Sequence, residues 1–446
     1  MRKFVDRPRY TCALGGALFT LRALERVIPI IHASAGCGFN LINATNAGAG
    51  YLGGGYCGGA AWSSTNVVER EVVFGGDDRL REQIRTTLEV MDGDLYVVVT
   101  GCMVDMIGDD VKAVASEFIE DDVPVLAIPT PSFKGNSYSG YDMILSGLFR
   151  GYVDRNAQSQ PNTVNIIGLV PGQDVFYKGN LAEIKRLITK LGLRVNTFFG
   201  EGETLENLKN AAEASLNLVL SDVYGIQPAK DFEQIFSTPY LALPLPIGAL
   251  QTKEFLLSVA NALQINLDLV HRTIAEEEDR YYDYLERIAD IYNDIDLQRY
   301  AVVVGDANYA PAVSRFLADE LGYLPKLSVV TDFLNEAQQK AVAGRFDGYE
   351  SGISPLVKFD VDTSSVKRYI GETWEPGRNE RYYDSFSPAI IVGSVFERDL
   401  SAEFGMPLIT LSYPTTNRII LNQTYAGYNG GLSLASDILT TLVAGR

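Results

Sequence analysis

The chain has 446 residues, 46% hydrophobic and 21% charged, which suits a soluble globular protein of about two to four domains. A formal net charge of -18 excludes the basic surface that nucleic acid or an anionic membrane requires. No window approaches about 18 consecutive apolar residues, and Met1 to Pro8 carries no apolar signal core, so a cytoplasmic protein is the simplest expectation.

Met1 to Arg9 reads as a short polar arm, followed by Cys12 and the pair Gly15-Gly16. Helical spacing is expected over Leu18 to Val27. Ile28 to Gly38 (IPIIHASAGCG) is an apolar run that ends at Cys37. Ala44 to Ala61 (ATNAGAGYLGGGYCGGAA) holds Cys57 in a glycine density that either allows close backbone approach or marks a loop. Val72 to Asp78 leads into a charged helix expected over Arg79 to Met91. Leu95 to Asp110 (LYVVVTGCMVDMIGDD) is the most informative stretch. Its β-branched apolar run, ended by Thr100-Gly101, predicts a buried parallel strand turning into a helix. Cys102 would then stand at the carboxyl end of a strand, the edge where open α/β sheets bind ligands. Val123 to Ile128 predicts a further strand, ending in Pro129-Thr130-Pro131-Ser132-Phe133.

From Pro161 the pattern restarts in βαβαβ order. Strands are expected at Thr163 to Val170, Leu193 to Phe199 and Leu216 to Leu220, with helices over Leu181 to Leu191 and Leu205 to Ala214. Leu241 to Ile247 is broken by proline, and Phe255 to Leu263 returns to helical spacing. An acidic, Tyr-rich helix over Leu267 to Ile295 reads as a connector to a third unit. That unit has strands at Tyr300 to Asp306, Leu327 to Thr331 and Ala389 to Gly393, and closes with a helix over Leu432 to Val443. The expected architecture is α/β, with three Rossmann-like doubly wound domains over 1–160, 161–295 and 296–446.

No Walker A or GxSxG pattern occurs, and Gly172, Gly179 and Gly305 form no GxGxxG, which argues against the usual nucleotide loops and a serine-hydrolase elbow. His271 lies in the acidic helix and reads as solvated or at a core edge. Four cysteines make no disulfide framework in a chain this long, and glycine-flanked cysteines in a reducing compartment read as ligands or buried thiols. Cys12, Cys37 and Cys102 match no CxxC spacing, so both readings stay open on spacing alone. Were the three to share a cubane cluster, which usually takes four thiolates, either one iron would stay open or a partner chain would supply the rest.

These same segments carry a resemblance. Cys12 with Gly16-Ala17, IPIIHASAGCG, EVVFGGDD, TGCMVDMIGDDV, TPSF with SGYD, VPGQDVFYKGNLAEIKRLITKLGL, PLPIGALQTKEFLLSVA and the terminal PLITLSYPTTNR with YAGYNGGLSLASDILTTLV resemble the component 1 family of nitrogenases and nitrogenase-like reductases, on the β-type side. The resemblance implies an α2β2 assembly with an α-type subunit. It implies that Cys12, Cys37 and Cys102 hold one half of a P-cluster, an iron-sulfur cluster of 8Fe-7S type shared between the two subunits, with Ser132 where some members place a serine near it. It further implies an ATP-dependent reductase of the Fe protein type, docking near Phe74, and an active-site iron-sulfur cofactor held by the α-type partner. The alternative for Phe74 is an ordinary core aromatic at a strand end. His32 aligns with the family's histidine before the second cysteine, as a packing residue or a support for its ligands. The chain departs from the family pattern where HASAGC stands for the usual HGSQGC, and in the Ala44 to Ala61 segment, where Cys57 has no counterpart and reads as a plain thiol. Those departures leave the substrate open between dinitrogen and a methylthio-alkane whose carbon-sulfur bond is reduced. A cofactor-assembly scaffold of the same superfamily is the alternative function.

Overall fold

The computed structural model describes residues 4–48, 62–118, 124–291, 300–374 and 390–444. Among them are three sheets in which every strand pair is parallel. The first contains β1 (Val27–His32), β2 (Ser63–Ser64), β3 (Leu95–Thr100) and β4 (Val125–Ile128), in the order β2-β1-β3-β4. The second contains β5 (Gln160–Ile167), β6 (Arg194–Asn196), β7 (Ala214–Val219) and β8 (Tyr240–Ala242), ordered β6-β5-β7-β8. The third contains β9 (Tyr300–Gly305), β10 (Leu324–Val330), β11 (Leu356–Phe359), β12 (Ile390–Gly393) and β13 (Leu408–Thr410), ordered β11-β10-β9-β12-β13.

β1 and β3 are buried at every residue, as expected for parallel strands covered by helices on both faces. They pair in register from Val27 opposite Leu95 to His32 opposite Thr100. Both therefore end level, and the loops after His32 and Thr100 leave the sheet side by side.

Around this sheet lie α1 (Ala13–Arg22), α2 (Ala35–Gly48), α3 (Glu69–Phe74), α4 (Asp77–Val90), α5 (Cys102–Ile107), α6 (Val111–Ser116) and α7 (Ser137–Gly151). α1 begins five residues before the helical spacing predicted it, and Val27 opens β1 instead of closing a helix. Gly15 and Gly16 imitate a turn in the sequence, but they serve a close helix crossing. A Cβ on Gly16 would stand 1.8 Å from the Ser137 carbonyl oxygen, and one on Gly140 of α7 would stand 2.0 Å from that of Ala13. A glycine costs a helix interior about 1 kcal/mol relative to alanine, and the packing of α1 on α7 offsets that cost.

Other boundaries also move. The strand expected over Leu193 to Phe199 is realised only at Arg194–Asn196, because Phe198 and Phe199 turn into the core. The helix expected to Ala214 ends at Lys209, followed by a 3-10 turn over Ala211–Glu213, and Ala214 opens β7. The acidic helix runs over Leu267–Leu285 and is no bare connector, since it buries Val270, Ile274, Glu277 and Tyr281. Residues 292–295, the end of its predicted span, lie outside the described residues.

The polar arm does more than its sequence suggests. Arg9 is buried and donates from Nη1 to the Val304 carbonyl at 2.8 Å and to Ser412 Oγ at 2.7 Å, while Nη2 pairs with Glu397. It fills the crevice where the third sheet reverses strand order about β9, a common ligand position in doubly wound sheets. Among the described residues no helix is long and apolar enough to cross a membrane.

Candidate metal centre

All three described cysteines belong to helix starts at the carboxyl edge of the first sheet. Cys12 is the residue before α1, Cys37 lies in the first turn of α2, and Cys102 opens α5 directly after β3. Each is a free thiol and partly exposed. Ser132 opens a 3-10 turn, Ser132–Lys134, a few residues beyond β4.

A series of close contacts joins these four segments. Cys12 forms an antiparallel bridge with Asn136, and the Ser137 amide donates to the Thr11 carbonyl at 2.8 Å, which ties the Cys12 turn to the segment after Ser132. A Cβ on Gly15 would meet Leu41 at 2.8 Å, so α2, one turn beyond Cys37, presses on α1 one turn beyond Cys12. Gly101 donates to the His32 carbonyl at 3.0 Å and leaves no room for a side chain against Ala33, which brings the Cys102 turn onto the chain leading to Cys37. Thr100 Oγ1 accepts from the Thr130 amide at 2.9 Å and donates to Asp105 at 2.6 Å, fastening the end of β3 to the end of β4. Burial raises the Asp105 carboxyl above its usual range, with the Thr100 hydrogen bond opposing.

The donor chemistry fits iron and sulfur. Three soft thiols stand at one sheet edge, none consumed in a disulfide, with a hydroxyl close by in the fold. Among the described residues no three His, Cys, Asp or Glu side chains converge closely enough to hold a single metal ion. Cys57 and most of the glycine-rich segment lie outside the described residues.

His32 ends β1 and is fully buried. Its Nε2 lies 2.9 Å from Asp109 Oδ2 and its Nδ1 lies 3.0 Å from Thr65 Oγ1. The carboxylate can only accept, so Nε2 carries the hydrogen, and in the neutral ring Nδ1 accepts from the threonine hydroxyl. Burial pushes the His32 pKa down while the neighbouring Asp109 opposes it. The ring is thus a packed and fully bonded one.

Phe74 ends α3 and is 84% exposed, which overturns the alternative of a core aromatic at a strand end. Val68, Val72 and Val73 beside it and Met106 of the adjoining α5 are exposed as well, a cluster of apolar groups of the kind that marks interaction surfaces. His271 is exposed on its helix, one of the positions its sequence allowed. The sequence reading missed Thr65, Gly76 and Asp109, which surround His32. Asp109 was visible only as part of IGDD, and its partner lies 77 residues away in the chain.

Comparison with known proteins supports this fold. The structure superposes on nitrogenase Cp1 at pH 6.5 with a TM-score of 0.81 and 22% identity, covering 100% of this chain and 94% of that one. In sequence the chain is 26% identical to the nitrogenase molybdenum-iron protein beta chain of Azotobacter vinelandii, covering 98% of this chain and 83% of that one. To the beta chain of the same name from Methanococcus maripaludis it is 25% identical, covering 99% and 95%. The family model of the nitrogenase component 1 type oxidoreductases matches residues 12–443, and the chain belongs to that family, with its likeness on the beta-type side.

Proposed function

We propose that this chain is the beta-type subunit of the catalytic component of an ATP-dependent reductase, and that it holds one half of a P-cluster of 8Fe-7S type shared with an α-type subunit in an α2β2 assembly. The observation that carries this reading is the gathering of Cys12, Cys37 and Cys102 as free, partly exposed thiols at helix starts on one sheet edge. Three thiolates from one chain leave the ligand count open, and a partner's thiolates complete it. When bound, the cluster supplies a one-electron relay. The chain's own residues hold it. The cysteines attach it, the tight Gly101 turn seats the Cys102 segment against Ala33, and Ser132 stands by as a further oxygen donor. Thr100 and Thr130 keep the β3 and β4 ends from separating.

The exposed apolar face formed by Val72, Val73, Phe74 and Met106 is where an Fe protein-type reductase docks, and ATP belongs to that partner, in keeping with the missing Walker A pattern. The active-site cofactor belongs to the α-type partner. The substrate is dinitrogen or a methylthio-alkane.

The test is to co-express the chain with its α-type partner and to measure iron per chain pair and product formation with reductase and MgATP. The reading expects both, with iron lost in Cys102→Ala. Full iron without product under these conditions would favour an assembly scaffold. Unchanged iron in Cys102→Ala would remove the ligand assignment.

A further inference from the structure

Between the exposed α3 face and the cysteine-bearing edge lies a buried hydrogen-bonded node that the proposed function does not use. Asp109, whose side chain is only 4% exposed, accepts from His32 Nε2 at 2.9 Å through Oδ2 and from the Gly76 amide at 2.9 Å through Oδ1. His32 ends the strand that leads to Cys37, Asp109 directly follows the turn after the Cys102 helix, and Gly76 lies two residues past Phe74. One carboxylate thus bonds the Cys37 strand and the α3–α4 turn, while its own backbone belongs to the Cys102 segment.

Neighbouring contacts support the same joint. Asp77 accepts from the Asp110 amide at 3.1 Å, and Arg79 Nε donates at 2.9 Å to the carbonyl of Thr65, whose hydroxyl meets His32 Nδ1. The joint requires glycine on the α3 side. A Cβ on Gly76 would stand 2.6 Å from Asp109 Oδ2 and 3.0 Å from His32 Cε1, and Gly75 turns at φ 90°, a conformation that side-chain-bearing residues rarely adopt. α3 itself is six residues long with none buried, so its own packing does little to fix its position. The Asp109 bond to Gly76, with the Asp77–Asp110 bond beside it, places its end.

We infer that His32 and Asp109 are positioning residues that hold the apolar α3 face in register with the Cys37 and Cys102 segments, so that a reductase seated on Phe74 meets the electron-accepting edge at a fixed distance and orientation. This inference rests on the reading of Phe74 as the docking site. The pair works through geometry, by its bonds to Thr65 and Gly76.

The test uses the holo-complex purified with its α-type partner, its cognate reductase and MgATP, in native form and as Asp109→Ala, Asp109→Asn and Phe74→Asp. Asp109→Ala removes both acceptors, whereas Asp109→Asn keeps an oxygen for the Gly76 amide and an amide group that can donate to a retautomerised His32. The inference expects amide hydrogen exchange at Gly76 to speed up at least about tenfold in Asp109→Ala, with the reductase concentration for half-maximal turnover raised about three- to tenfold. Iron per chain pair and turnover at saturating reductase should stay near native, and Asp109→Asn should recover most of the change. Native exchange and native half-saturation in Asp109→Ala would overturn the inference, as would a loss of iron in proportion to activity, which marks a merely structural role. If Phe74→Asp raises half-saturation while Asp109→Ala does not, the positioning role fails alone. If Phe74→Asp has no effect either, the docking reading fails and the inference with it. Should Asp109→Ala not accumulate, Thr65→Val removes one hydroxyl of the node at similar volume, and the same direction of change in exchange and half-saturation is expected.

Discussion

At the scale of single residues the cysteines divide by proposed role. Cys102 opens a helix at the end of a buried strand, with Gly101 wedged against Ala33, so Cys102→Ala should abolish most cluster iron and activity. Cys57→Ala should leave both near native, and iron determination on the two purified variants decides between them. Phe74→Asp places a charge on an apolar contact and should weaken reductase docking by roughly tenfold or more, while leaving the cluster's spectrum intact. His271→Ala, at an exposed position, should change neither metal content nor product ratio. A different residue reports on pH. Burial pushes the Asp142 carboxyl up to about 7, against the pull of the Gly225 amide that donates to it at 2.8 Å. A folded pKa above the unfolded one means that the carboxyl's contribution is whole below about pH 4 and is lost as pH rises through about 7. Asp142→Asn keeps the acceptor without the charge. Its gain in melting temperature over the native chain should therefore grow from about pH 4 to about pH 7 and then level off, and a gain that shrinks over that range would contradict the burial argument.

At the scale of elements, the acidic helix Leu267–Leu285 is held to α8 (Tyr177–Lys190) by a charged joint. Arg186 makes two bonds to Glu277, at 2.6 and 2.9 Å, and Lys190 adds a third at 2.5 Å. Burial alone would raise the Glu277 carboxyl, but Arg186 and Lys190 hold it down to about 2. A depressed carboxylate stabilises above its unfolded pKa and loses that contribution as pH falls toward about 2. Since the cations are partly exposed, Glu277→Gln should cost about 1–3 kcal/mol, read from denaturant unfolding at neutral pH, with the difference from native fading in acid. Such joints explain which elements were legible in advance. β3 and β9 announce themselves through continuous β-branched runs bounded by glycine, a local signal. α1 was misplaced because Gly15-Gly16 looks like a turn until α7 is known to cross there. β2, two residues long, pairs with Ile30 and Ile31 of β1 and has no periodicity of its own to read. The site followed the same rule. Cys37 and Cys102 were visible at the ends of apolar runs, whereas the bonding of His32 to Thr65 and Asp109 depends on three segments distant in sequence.

At the scale of the whole molecule, three parallel sheets present their strand ends in different circumstances. The third sheet's crevice is filled by Arg9 and Glu397, and the first sheet's edge carries partly exposed thiols beside exposed Phe39 and Phe133. On the proposed function, the α-type partner completes that surface. The most direct measurement of the central claim is iron per chain after purification under strict exclusion of oxygen, with and without co-expression of the α-type subunit, in native and Cys102→Ala forms. Stable iron is expected only in the native co-expressed complex. A native chain purified alone as a monomer with a full complement of cluster iron would contradict it.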